Sequence, residues 1–108
     1  LIRDAGLEVL AEGLPRGLRG FKLDMSNCKE ITDVGIHKLM QGLPETIEHL
    51  ELYFANCPEI GLDSAQLIID KLPKSTVRLV VSLMGTKVNR SFESAAALRK
   101  FLVKSVAW

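Results

Sequence analysis

Cysteine, histidine, aromatic side chains and long apolar runs are all scarce in this chain of 108 residues. Its two cysteines, Cys28 and Cys57, are too few for the disulfide framework of a small extracellular domain, and with no Cys-x-x-Cys spacing they do not make a structural zinc site. Reduced thiols and a reducing, intracellular compartment are expected. The triplet Asn89-Arg90-Ser91 matches a glycosylation acceptor, but such triplets are common by chance and do not outweigh the cysteine reading. The two histidines, His37 and His49, fall on the outer flank of an expected helix and at the start of an expected strand. Neither stands as a base beside a thiol, which nucleophilic catalysis by cysteine requires. One Trp, one Tyr and four Phe, with a formal net charge of +1, give neither the dense basic surface nor the stacking aromatics of a nucleic-acid binder.

The apolar stretch LVVSLMG at 79–85 is far too short to span a bilayer, and LIRDAGLEVLAEG at the start carries acids where a signal peptide needs an uninterrupted apolar centre. The chain opens on Leu1 rather than Met, as a processed or trimmed piece of something longer would. Gly13, Gly17 and Gly20 precede a strand instead of following one and opening a helix, so they form no phosphate loop. Glu48 and Glu51 are paired carboxylates without an expected pocket, the pattern of a solvated strand edge and turn. No enzyme activity, cofactor, metal or small-molecule substrate is expected.

What the sequence does contain is a period. NCKEITDVG at 27–35 and NCPEIGLDS at 56–64 lie 29 positions apart, and the prolines Pro15, Pro44 and Pro73 keep the same step. At that step Phe21, Leu23 and Met25 match Leu50, Leu52 and Phe54, then Leu79, Val81 and Leu83, each trio alternating with polar or small residues as a strand does. Strands are therefore predicted near 21–25, 50–54 and 79–83. Ile36, Leu39, Met40 and Leu43 match Ala65, Ile68, Ile69 and Leu72 at helical spacing. The same set precedes the first strand as Leu7, Leu10, Ala11 and Leu14, and follows the third weakly as Ser94, Ala97, Leu98 and Phe101. Asp4, Thr32 or Asp33, Asp63 and Ser91 are the expected N-caps, and the three prolines end the first three helices.

A unit of 29 residues cannot bury its own apolar face, so the units are expected to stack, with strands side by side in parallel and helices in a second layer. Strands pack about 4.8 Å apart and helices roughly 8 to 10 Å apart, so the stack curves with the strands inside. The fold class expected is α/β, a right-handed solenoid forming a short horseshoe. One domain covers 1–108, with a partial unit at 1–15, units at about 16–44 and 45–73, and a degenerate one at 74–108.

These segments resemble leucine-rich repeat proteins of the ribonuclease-inhibitor-like and cysteine-containing subclasses. LDMSNCKEITDVGIHKLMQGLP and LYFANCPEIGLDSAQLIIDKLP follow the order of a Leu-x-Leu strand, an Asn or Cys at the bend and an Ile-Thr-Asp-x-Gly helix start. IRDAGLEVLAEGLP at 2–15 matches the helical half of a preceding copy. The third copy departs, with Thr86 where Cys28 and Cys57 stand and no Asn before it, and Gly20, His49 and Arg78 hold the place of the usual first Leu. The resemblance implies that Cys28 and Cys57 point inward and bond backbone groups left unpaired at the bend.

Alternation sends Lys22, Asp24 and Ser26, then Glu51, Tyr53 and Ala55, then Val80, Ser82 and Met84 away from the core, so the concave strand face is the candidate binding surface. Tyr53 reads equally as an interface anchor and as an exposed strand residue of good β-propensity. Val80 and Met84 are apolar on a solvent face, which makes sense if something covers them. The last helix, with Phe92, Phe101, Leu102, Val103, Val106 and Trp108, carries more apolar residues than one inward stripe needs, so it either caps the core or docks on another protein. The expected partner-binding residues are Lys22, Asp24, Glu51, Tyr53, Val80, Ser82, Met84 and Trp108. The function expected is non-enzymatic protein–protein recognition, with no nucleic acid, membrane span or small molecule. The alternative is a structural subunit wedged into a larger assembly by its ends.

Overall fold

The computed structural model describes residues 2–106. In chain order the elements are α1 (Asp4–Glu12), β1 (Gly20–Asp24), α2 (Asp33–Gly42), β2 (His49–Tyr53), α3 (Leu62–Asp70), β3 (Arg78–Ser82), β4 (Ser91–Phe92) and α4 (Ala95–Val106). The fold is α/β, with four helices and one four-stranded sheet of order β1-β2-β3-β4. β1 pairs with β2, and β2 with β3, in parallel; β4 is antiparallel to β3. Each parallel register joins residues 29 apart, Leu23 to Leu52 to Val81 for instance. The three strands begin one residue earlier than alternation alone placed them.

The inward residues of the strands meet the inward stripe of the helices in one core. Leu50, Leu52 and Phe54 of the central unit are fully buried, as are Ile36, Leu39 and Ile68. Each helix packs on its neighbour in chain order, and α4 also touches β3 and β4. At about 25 cal/mol per Å² of buried apolar surface, this shared core supplies the main favourable term of the fold.

The bends after the strands extend the ladder. Asn27 N–H donates to the Ala55 carbonyl at 2.7 Å and Asn56 N–H to the Met84 carbonyl at 2.8 Å. Asn27 and Asn56 both have positive φ, 67° and 59°, and the residue one step further, Gly85, has φ 75°. The third unit therefore loses its Asn but keeps the left-handed turn, because glycine adopts it without steric cost. Asn56 Nδ2 also donates to Asn27 Oδ1 at 3.2 Å. Where Gly85 follows, a Cβ would collide with the Asn56 side chain, so glycine is required there by space as well.

Helix starts depart from the expected caps. Thr32 does cap α2, its hydroxyl accepting from Val34 N–H at 3.1 Å. Asp4 lies inside α1 and reaches across to the next unit, where its carboxylate accepts from Thr32 N–H at 2.8 Å and from the Thr32 hydroxyl at 2.6 Å. Asp33, one step on, accepts from Gly61 N–H at 2.9 Å and from the Ser64 hydroxyl. Each of these aspartates thus satisfies donors at the start of the following helix, which a helix terminus otherwise leaves unpaired. The ladder stops at the third place, held by the exposed Leu62. Asp63, expected as a cap, is an exposed residue in the first turn of α3, whose N-cap is Gly61.

Ser91 is likewise not a cap. It belongs to β4, and Ser94 accepts from Ala97 N–H at 3.0 Å at the start of α4. The two-residue strand delays α4 and turns its inward stripe to Ala95, Leu98 and Leu102, with Phe101 half-buried; the expected Ser94 and Ala97 are exposed.

Candidate functional site

On the sheet face away from the helices, three parallel strands lay down rows of outward side chains. One row is Lys22, Glu51 and Val80; the next is Asp24, Tyr53 and Ser82, which β4 extends to Ser91. Ser91 donates to Ser82 Oγ at 3.0 Å. Ser26, Ala55 and Met84 follow at the bends, one step of 29 apart. Seven of the eight expected contact residues, Lys22, Asp24, Glu51, Tyr53, Val80, Ser82 and Met84, are therefore brought onto one face; Trp108 lies outside the described residues.

The centre of the face is a small polar network. The Tyr53 hydroxyl donates to Glu51 Oε1 at 2.5 Å, and the Lys22 ammonium sits 5.6 Å from the Tyr53 ring centroid. Donation to the Glu51 carboxylate holds the phenol above its ordinary pKa, because losing the proton would set two negative charges together. Asp24 is shifted the other way: Ser26 N–H donates to its Oδ1 at 3.0 Å and favours the ionised carboxylate. Beside this network the surface turns apolar. Val80 is half-buried and Met84 is 47% exposed at the C-terminal edge.

The cysteines lie beneath the bends. Cys57 is fully buried and its thiol donates to the Met25 carbonyl of the preceding unit at 3.2 Å; burial pushes its pKa up. Thr86, one step later, bonds within its own bend instead, its hydroxyl donating to the Leu83 carbonyl at 2.6 Å and accepting from Val88 N–H. Cys28 has no preceding unit above it. It is only half-buried and makes a long contact of 3.9 Å with the Ser26 carbonyl, so its inward placement is less complete than expected. Both thiols are free.

His37 and His49 are exposed and apart from the cysteines, on α2 and at the start of β2. Among the described residues no three His, Cys, Asp or Glu gather as a metal site would need, and no helix is long and apolar enough to cross a membrane. Two features escaped the sequence reading: the Asp4 and Asp33 ladder, whose step of 29 was available as a signal, and β4, whose two residues carry no periodicity. No family model, curated protein or solved structure matches the chain.

Proposed function

We propose that the chain is a leucine-rich-repeat solenoid whose concave strand face and C-terminal end bind a partner protein, without catalysis or cofactor, in a reducing intracellular compartment. The carrying observation is the open sheet face itself. Its rows join a charged and aromatic centre at Lys22, Glu51 and Tyr53 to the apolar edge of Val80 and Met84, the mixture of anchor and polar rim that protein interfaces use. Covering the 47% of Met84 that is exposed contributes about 1 kcal/mol. Tyr53 is held by its bond to Glu51, so little rotamer freedom is lost on contact.

The second reading is a structural subunit fixed in a larger assembly by its ends. It is favoured by the first unit, where Phe21, Met25 and Cys28 are half-buried while their counterparts Leu50, Phe54 and Cys57 are fully buried. The two readings separate in one capture experiment. Proteins retained by the native chain are compared with those retained by a variant carrying Val80→Ser and Met84→Ser, with Val9→Ser on the exposed face of α1 as control and thermal unfolding measured for each. Concave-face binding predicts that specific partners are lost only with the sheet-face pair at unchanged folding. Retention of the same partners by that variant assigns binding to the ends and overturns the sheet-face reading.

A further inference from the structure

The charge of the chain is segregated along its length: residues 74–108 carry seven Lys or Arg and a single acid, Glu93, whereas residues 1–73 carry seven Lys or Arg against twelve Asp or Glu. A groove of about 620 Å³ runs between β4 and α4 inside that basic segment. One stripe of α4 lines it with Ala97, Lys100, Phe101 and Lys104 at positions i, i+3, i+4 and i+7, and Arg90 and Phe92 close the other side. Its floor is aromatic, the Phe92 and Phe101 rings lying 5.1 Å apart at 53°. The Arg90 guanidinium stands 5.2 Å from the Phe101 centroid. Among the described residues, Arg90, Lys100 and Lys104 form no ion pair, so three cations and one carboxylate, Glu93, rim the aromatic floor.

We propose that this groove docks an acidic peptide segment of a partner protein, its carboxylates paired with Arg90, Lys100 and Lys104 and an apolar side chain set against Phe101. The proposal rests on the reading of the C-terminal end as a partner contact and gives that contact its chemistry. Complementary charge supplies orientation and on-rate, and the apolar floor supplies a short-range anchor. A peptide fits better than a nucleic acid. Three cations with a carboxylate, Glu93, on the same rim are a poor match for a continuous phosphate chain.

The test is fluorescence anisotropy of the full chain with a short labelled peptide of alternating Glu and Leu, its Gln-for-Glu counterpart, and a single-stranded DNA oligonucleotide. The acidic peptide should bind with an affinity that falls as salt rises, and the Gln peptide should bind far more weakly. Lys100→Ala with Lys104→Ala, both exposed helix positions, should weaken binding about tenfold without changing the circular dichroism. Arg90→Ala should weaken it further. Val80→Ser with Met84→Ser should leave it unaltered, so that failure of the groove and failure of the sheet face are read separately. Equal binding of the two peptides, no binding of the acidic one, indifference to the lysine pair, or tighter binding of the oligonucleotide would each overturn the proposal.

Discussion

Tyr53 shows how much a single side chain on an exposed strand can be tied down. It is the chain's one tyrosine, so its titration is directly readable from phenolate absorbance. Its hydroxyl bond to Glu51 favours the protonated phenol, and the folded pKa lies above the ordinary value of about 10. A group whose folded pKa is raised contributes stability that is fully present below its unfolded pKa and lost as pH rises through the folded one. The loss from this pair therefore falls in the alkaline range, above the ordinary tyrosine pKa, and neutral pH leaves it intact. Glu51→Gln should return the midpoint toward the ordinary value. An unchanged midpoint in that variant would show that the bond is not populated in solution.

At the scale of elements, the two aspartates explain why helices in successive units start in step. Asp33 holds the first residues of the α3 region through Gly61 N–H and the buried Ser64 hydroxyl, and Asp4 holds Thr32 in the same manner. The fit is close. A Cβ at Gly35 would strike the Asp4 carboxylate, so glycine at that position makes room for the tie. Removing the Asp33 carboxylate leaves a buried hydroxyl and a helix-start N–H without their charged acceptor, which costs roughly 2–3 kcal/mol. Asp33→Ala should therefore lower the free energy of urea unfolding by about that amount, whereas exposed Asp63→Ala, the cap that periodicity suggested, should change it by less than about 0.5 kcal/mol. Equal effects from the two substitutions would mean that the tie between units adds nothing beyond local helix preference.

For the whole molecule, the two ends of the sheet are finished differently. At the C-terminal end β4 folds back on β3 and α4 closes over it, burying Phe92, Leu98 and Leu102. At the other end α1 packs on α2 but on no strand, and β1 pairs on one side only. The less covered end is held by fewer contacts and opens first. Native-state hydrogen exchange should accordingly show the slowest amides in β2 and β3 and faster exchange in α1 and β1. Uniform protection across all four elements would instead indicate one all-or-none unit.

The period of 29 made most of this architecture legible before any coordinates: three strands, four helices, their parallel pairing and the inward trios follow from where apolar side chains recur, since burial is decided by pattern. The outward rows containing Lys22, Glu51, Tyr53, Val80 and Met84 followed from the same alternation. Other features were settled only by tertiary contact. Asp4 and Asp33 read locally as candidate N-caps of their own helices, and although their step of 29 is in the sequence, their partners 28 residues away are set by the packing of one helix start on the next. Gly85 replaces Asn because both tolerate positive φ, an equivalence of backbone conformation that side-chain matching does not reveal. β4 is too short to have a period, and its insertion rotated the stripe of α4. The groove beside it needed residues from β4 and α4 brought together: the sequence alone determined that the C-terminal segment is basic, while folding determined that Arg90, Lys100 and Lys104 share one aromatic floor, because distance in space, not along the chain, decides which charges act as a site.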